Sequence, residues 1–114
     1  MAASPQLAGM TCNFETECTD SDCADSSYSA TVQMTAARPV DSHLTIMSAV
    51  FSDVSETYEM QGKIVDGNRR MFNMDSTAGA RLLTIAADGT ARYTNHIAEP
   101  LMAMTYLGQC KEDR

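Results

Sequence analysis

The chain has 114 residues, enough for one domain with a modest core. Fifteen Asp and Glu against eight Lys and Arg give a formal charge of −7. That balance opposes binding to nucleic acid or to anionic lipid, both of which need a positive footprint. No run of about eighteen apolar residues occurs, so no membrane-spanning helix is expected.

Residues 1–9 read as a frayed terminus, and Met1 to Pro5 has neither the basic start nor the apolar centre of a secretion signal. An exported chain would therefore have lost its leader. From Thr11 to Ser29 the sequence is polar and acidic, with no Lys or Arg, and residues 12–25 read as an acidic, cysteine-rich loop. Asp20-Ser21-Asp22 and Asp25 resemble the start of a calcium loop. The glycine and the bidentate glutamate that define an EF-hand are missing, so a solvated loop is the expectation.

Period-two alternation starts at Tyr28, where Tyr28, Ala30, Val32, Met34 and Ala36 share one face of a predicted strand that ends at Arg38-Pro39. His43 to Phe51 is more continuously apolar and reads as a central strand, with a helix as the alternative. Tyr58, Met60, Gly62 and Ile64 form a third alternating row. Asp66-Gly67 then supplies a tight turn, and Arg70 to Met74 returns beside it.

Ala80 to Ala87 and Thr90 to Ile97 flank Asp88-Gly89 as a hairpin. Leu83 and Ile85 share a face on the first arm. Ala91, Tyr93, Asn95 and Ile97 share one on the second, where Asn95 does not suit a dry interior. Pro100 precedes a last strand, Leu101 to Leu107, and 111–114 form a charged tail. The whole predicts an all-β domain over 10–110, a small antiparallel barrel or sandwich of about seven to eight strands. Its core is short of aromatics and rich in methionine, with no Trp, three Phe, four Tyr and nine Met. Methionine fills gaps but specifies packing poorly, so covalent restraint matters more than usual.

Cys12, Cys18, Cys23 and Cys110 provide that restraint. Four cysteines allow three pairings. The expected one joins Cys12 to Cys110 across the termini and Cys18 to Cys23 locally, the former contributing about 4–5 kcal/mol through unfolded-state entropy. Disulfides imply an oxidising compartment, hence a periplasmic or extracellular location. A zinc site is disfavoured because no Cys-x-x-Cys pair is present and His43 and His96 lie far from the cysteines.

Catalytic signatures are missing. No G-x-S-x-G elbow sets a nucleophile beside His43 or His96, and the acid pairs Glu56/Glu59 and Asp66/Asp75 have no cleft spacing behind them. No glycine-rich loop or haem attachment motif calls for a cofactor or metal. What remains is recognition of another protein, with Arg69 and Arg70 beside the Asp66-Gly67 turn, together with Arg81, as the basic anchors. Carriage of a small apolar ligand and hydrolase activity are the alternatives. A methionine-rich last strand also allows weak self-association through a sheet edge.

The plan resembles small secreted β-domain proteins of proteobacteria bracketed by cysteines, in Ala80 to Tyr93 and in Tyr106-Leu107-Gly108-Gln109-Cys110. It also resembles the periplasmic inhibitors of C-type lysozyme, small β-barrels with a terminal cysteine and a Ser-x-Ser-Gly-x-x-Tyr loop. Ser76, Gly79 and Arg81 match that loop in type. Ala78 replaces its central serine and Leu82 its tyrosine. The resemblance implies an inhibitor-like binding role with Ser76, Gly79 and Arg81 at the contact.

Overall fold

The computed structural model describes residues 9–75 and 79–113. Eight antiparallel strands follow one another around a closed barrel: β1 (Gly9–Thr19), β2 (Asp22–Pro39), β3 (Leu44–Ser52), β4 (Thr57–Val65), β5 (Asn68–Asp75), β6 (Gly79–Ile85), β7 (Thr90–Ile97) and β8 (Met102–Glu112). Closure settles the choice between barrel and sandwich. Each strand pairs with its sequence neighbour, and β1 completes the ring against β8. Each strand thereby has a partner on both sides, which removes the free edge strands of an open sheet, although residues 22–30 of β2 pair with β1 alone.

The two-residue rhythm sends one row of each strand inward. Phe14, Phe51, Met60, Met71, Leu83 and Ile85 are fully buried and fill the middle of the barrel. Outward residues of β1 and β2, among them Asn13, Glu15, Ser29, Thr31 and Gln33, are exposed and polar. A lipid-facing barrel would need an apolar outer band there. No helix of the described residues is long and apolar enough to cross a membrane.

The acidic segment 12–25 corrects the expectation of a loop, because it belongs to the long β1–β2 hairpin. Met10, Cys12 and Phe14 do alternate inward, but the register shifts between Phe14 and Thr16. A bulge of this kind inserts one unpaired residue and reverses the phase of everything after it. The period of two is broken in sequence while the ladder continues in space. The strand expected over His43 to Phe51 is present as Leu44–Ser52, but Ile46 faces outward and is exposed.

Both expected disulfides are present. Cys12–Cys110 closes a sequence separation of 98 and joins directly paired residues of β1 and β8, inside the core. It therefore staples the seam that demands the longest chain closure. Cys18–Cys23 clips opposite residues of the β1–β2 hairpin. Gly108 faces Phe14 along the same seam, and a Cβ there would lie 2.0 Å from the Asn13 carbonyl oxygen. Only a residue without a side chain lets β1 and β8 approach so closely.

Candidate functional site

The up-and-down topology places the β1–β2, β3–β4 and β7–β8 connections, with the last residue of β5 and the first of β6, at one end of the barrel, here termed the open end. Just beneath it six of the eight strands each contribute one inward aromatic: Phe14, Tyr28, Phe51, Tyr58, Tyr93 and Tyr106. Strand register assembles them in pairs, Phe14 opposite Tyr28, Phe51 opposite Tyr58, and Tyr93 opposite Tyr106. Ring centroids lie 4.6 Å apart for Tyr28–Tyr106, 4.9 Å for Phe51–Tyr93 and 5.8 Å for Tyr93–Tyr106. All four tyrosines of the chain meet in this cluster.

The two remaining strands bring polar groups to the ring. Asn73 on β5 pairs with Arg81 on β6, and Arg81 pairs in turn with Asn95 on β7. Arg81 is only 5% exposed, and its guanidinium lies 4.3 Å from the centroid of Tyr58. Its Nη1 donates to Asn73 Oδ1 at 2.8 Å and its Nη2 to Glu56 Oε1 at 3.1 Å. Arg81 Nε and Asn95 Oδ1 are buried without a hydrogen-bond partner among the described residues. An arginine survives here because a stacked ring, a carboxylate and an amide together replace most of its hydration.

The hydroxyls are organised as well. Tyr28 donates to Asp53 Oδ2, and the hydroxyls of Tyr58 and Tyr93 are hydrogen-bonded to each other. Asp53 Oδ1 accepts from the backbone N–H groups of Ser55 and Glu56, each at 2.8 Å, which fixes the β3–β4 turn. Burial is the main cause that pushes the hydroxyls of Tyr28, Tyr58, Tyr93 and Tyr106 above the ordinary tyrosine value. The carboxylates of Glu17 and Asp53 add to this at Tyr106. Burial also pushes Asp53 up, but the bonds from Tyr28, Ser55 and Glu56 outweigh it and hold the carboxyl below its usual range.

Around this floor the rim carries two fully exposed apolar tips, Val54 on the β3–β4 turn and Leu101 on the β7–β8 turn. The Asp20 backbone N–H donates to the Ala103 carbonyl at 2.8 Å, and the Ala103 N–H donates to Asp20 Oδ1 at 3.1 Å. Asp20 thus tethers the β1–β2 turn to β8.

The residues singled out from sequence do not form one surface. Arg81 lines the aromatic floor, and Gly79 opens β6 at the same end. At Gly79 a φ of 112° and a Cβ position 1.8 Å from the His96 carbonyl oxygen exclude any other residue without a backbone shift. Ser76 lies outside the described residues. Arg69 and Arg70 occupy the opposite end, adjoining the Asp66-Gly67 turn. Arg69 reaches Glu112 at 3.4 Å, whereas Arg70 is exposed.

Other candidate chemistry is scattered. His43 Nδ1 lies 2.9 Å from Asp66 Oδ1 at the far end, with both side chains largely exposed. His96 is exposed near the open end of β7, and all four cysteines are in disulfides. Glu56 points inward to Arg81 while Glu59 is exposed, and Asp66 lies in the turn before β5 whereas Asp75 is the last residue of that strand. Among the described residues no three His, Cys, Asp or Glu side chains converge to hold a metal.

The aromatic ring itself was not anticipated from sequence. Each member lies near the loop-side end of an inward row, a signal that means nothing until the strands are placed side by side. No protein-family model, curated protein or solved structure matches the chain.

Proposed function

We propose that this protein is a non-catalytic binding protein of the periplasm or extracellular space, acting through the open end of its barrel. The observation that carries this reading is the set of partly exposed rings Tyr28, Tyr58 and Tyr106, seated on the buried Tyr93, beneath the exposed tips Val54 and Leu101. Aromatic and apolar groups surrounded by a polar rim have the anatomy of protein interfaces. The Cys12–Cys110 and Cys18–Cys23 bonds favour an oxidising compartment. Gly79 opens β6 at this end, whereas Arg81 is buried beneath it and is not available for contact with a partner. Arg81 supports the floor from within, being engaged by Tyr58, Glu56 and Asn73.

Apolar-ligand carriage is less well supported, because core side chains occupy the middle of the barrel. The experiment is affinity capture from envelope and extracellular material with three proteins: the parent, a Val54→Asp/Leu101→Asp variant and an Arg69→Ala/Arg70→Ala variant. A partner held by the parent and by the arginine variant, but lost from the tip variant, is the expected result. Equal recovery by all three overturns the assignment to the open end. Loss confined to the arginine variant moves the site to the opposite end.

A further inference from the structure

We propose that the open end receives a basic side chain from a cationic protein partner, laid on the paired rings of Tyr28 and Tyr106 between the carboxylates of Glu17 and Asp53. This deepens the binding reading above and rests on it. Tyr28 and Tyr106 are both half-buried, with their rings 4.6 Å apart at the top of the aromatic floor. Glu17 is the direct cross-strand partner of Tyr106 and so shares its face. Asp53, on the β3–β4 turn to the other side of β2 from Glu17, holds the Tyr28 hydroxyl. Two carboxylates therefore flank one aromatic platform, the composition that favours a cation over a ring face.

The charge layout of the whole barrel identifies the kind of occupant. Glu17, Asp20, Asp22, Asp53, Glu56 and Glu99 all belong to the open end. Among the described residues Arg81 is the basic Lys or Arg side chain at that end, and Glu56 already pairs with it. Arg38, Lys63, Arg69, Arg70 and Lys111 lie toward the opposite end, and Arg92 lies on the outer wall between. Such an arrangement steers positively charged surfaces to one pole of the molecule. The acidic groups alone would suit a solvated rim; the tyrosine platform between them supplies a desolvated contact for a cation. Arginine is favoured over lysine because its planar guanidinium can stack on a ring and still donate sideways to carboxylates.

The absence of Trp and the convergence of all four Tyr make intrinsic tyrosine fluorescence a report on the aromatic cluster that contains this site. The full chain is titrated with tetra-arginine, tetra-lysine and tetra-glutamate peptides at low ionic strength. Saturable quenching by tetra-arginine is expected, several-fold weaker with tetra-lysine and lacking with tetra-glutamate. Glu17→Gln weakens tetra-arginine binding several-fold, and Tyr106→Leu weakens it by about tenfold, between the values of an exposed and a desolvated cation–ring contact. Circular dichroism checks that both variants fold; Glu17, free of the core, keeps the test valid if Tyr106→Leu does not.

Binding that Glu17→Gln leaves unchanged, or equal responses to the two basic peptides, overturns the inference. If tetra-arginine does not bind while partner capture still depends on Val54 and Leu101, the cationic inference fails and the open-end reading stands. If capture is indifferent to Val54 and Leu101 and tetra-arginine does not bind, both fail.

Discussion

The guanidinium of Arg81 lies 4.3 Å from the centre of the Tyr58 ring, and the Tyr58 hydroxyl in turn meets that of Tyr93. This stack joins β4, β6 and β7 inside the barrel and couples the most buried charge to the aromatic floor. Its removal tests how much of the open end is held from within.

Arg81→Leu leaves Glu56 and Asn73 without their donor and strips the cation from Tyr58. A loss of about 2–3 kcal/mol is expected. Arg81→Lys recovers part of this, since ammonium keeps the charge but not the planar fork. Glu56→Gln costs under about 1 kcal/mol, because that carboxylate is half-exposed. Urea denaturation of the three variants checks the ranking.

The two disulfides should differ in worth. Replacing Cys12 and Cys110 together by Ala opens the seam between first and last strands, with an expected cost of about 4–5 kcal/mol. Replacing Cys18 and Cys23 opens a loop of sequence separation 5, with an expected cost of about 2 kcal/mol. Denaturant midpoints of the paired variants, compared with the oxidised parent, measure both.

Alkaline pH should unfold the protein through its tyrosines. All four hydroxyls are pushed above the ordinary value of 10.0, chiefly by burial. The native state thus keeps protons that the unfolded chain releases above pH 10. Stability from this source is complete below that pH and declines as pH rises beyond it. Phenolate absorbance should stay low through the normal tyrosine range, then rise together with the loss of near-ultraviolet circular dichroism. Asp53 acts in the opposite sense: its lowered value stabilises above about pH 4 and is lost on acidification. A normal tyrosine titration in the folded protein would refute the first half of this prediction.

Gly108→Ala should be severely destabilising. Its Cβ would fall 2.0 Å from the Asn13 carbonyl oxygen and 2.5 Å from Phe14 Cα, both backbone atoms that cannot swing aside. A cost of about 2 kcal/mol or more is expected, comparable with other backbone-strain substitutions. Thermal denaturation monitored by circular dichroism checks it.

Much of the fold can be read along the chain. Inward rows such as Ala30-Val32-Met34 and Leu83-Ile85 keep the period of two, so their strands are recognisable. The bulge after Phe14 hides β1 by reversing that period, which leaves its polar residues looking like loop. Asn95 was visible as an anomaly on an inward row. Its meaning needs Arg81, which faces it on the neighbouring strand.

Sequence by itself determined the all-β class, the hairpin turns and the need for disulfides, because periodicity and turn chemistry are local properties. Closure of β1 on β8, the meeting of Tyr28 with Tyr106 and the separation of Arg81 from Arg69 and Arg70 were decided only in the tertiary structure. These depend on register and on which strands become neighbours across the barrel. Residues far apart in the chain acquire a common environment only when the sheet closes.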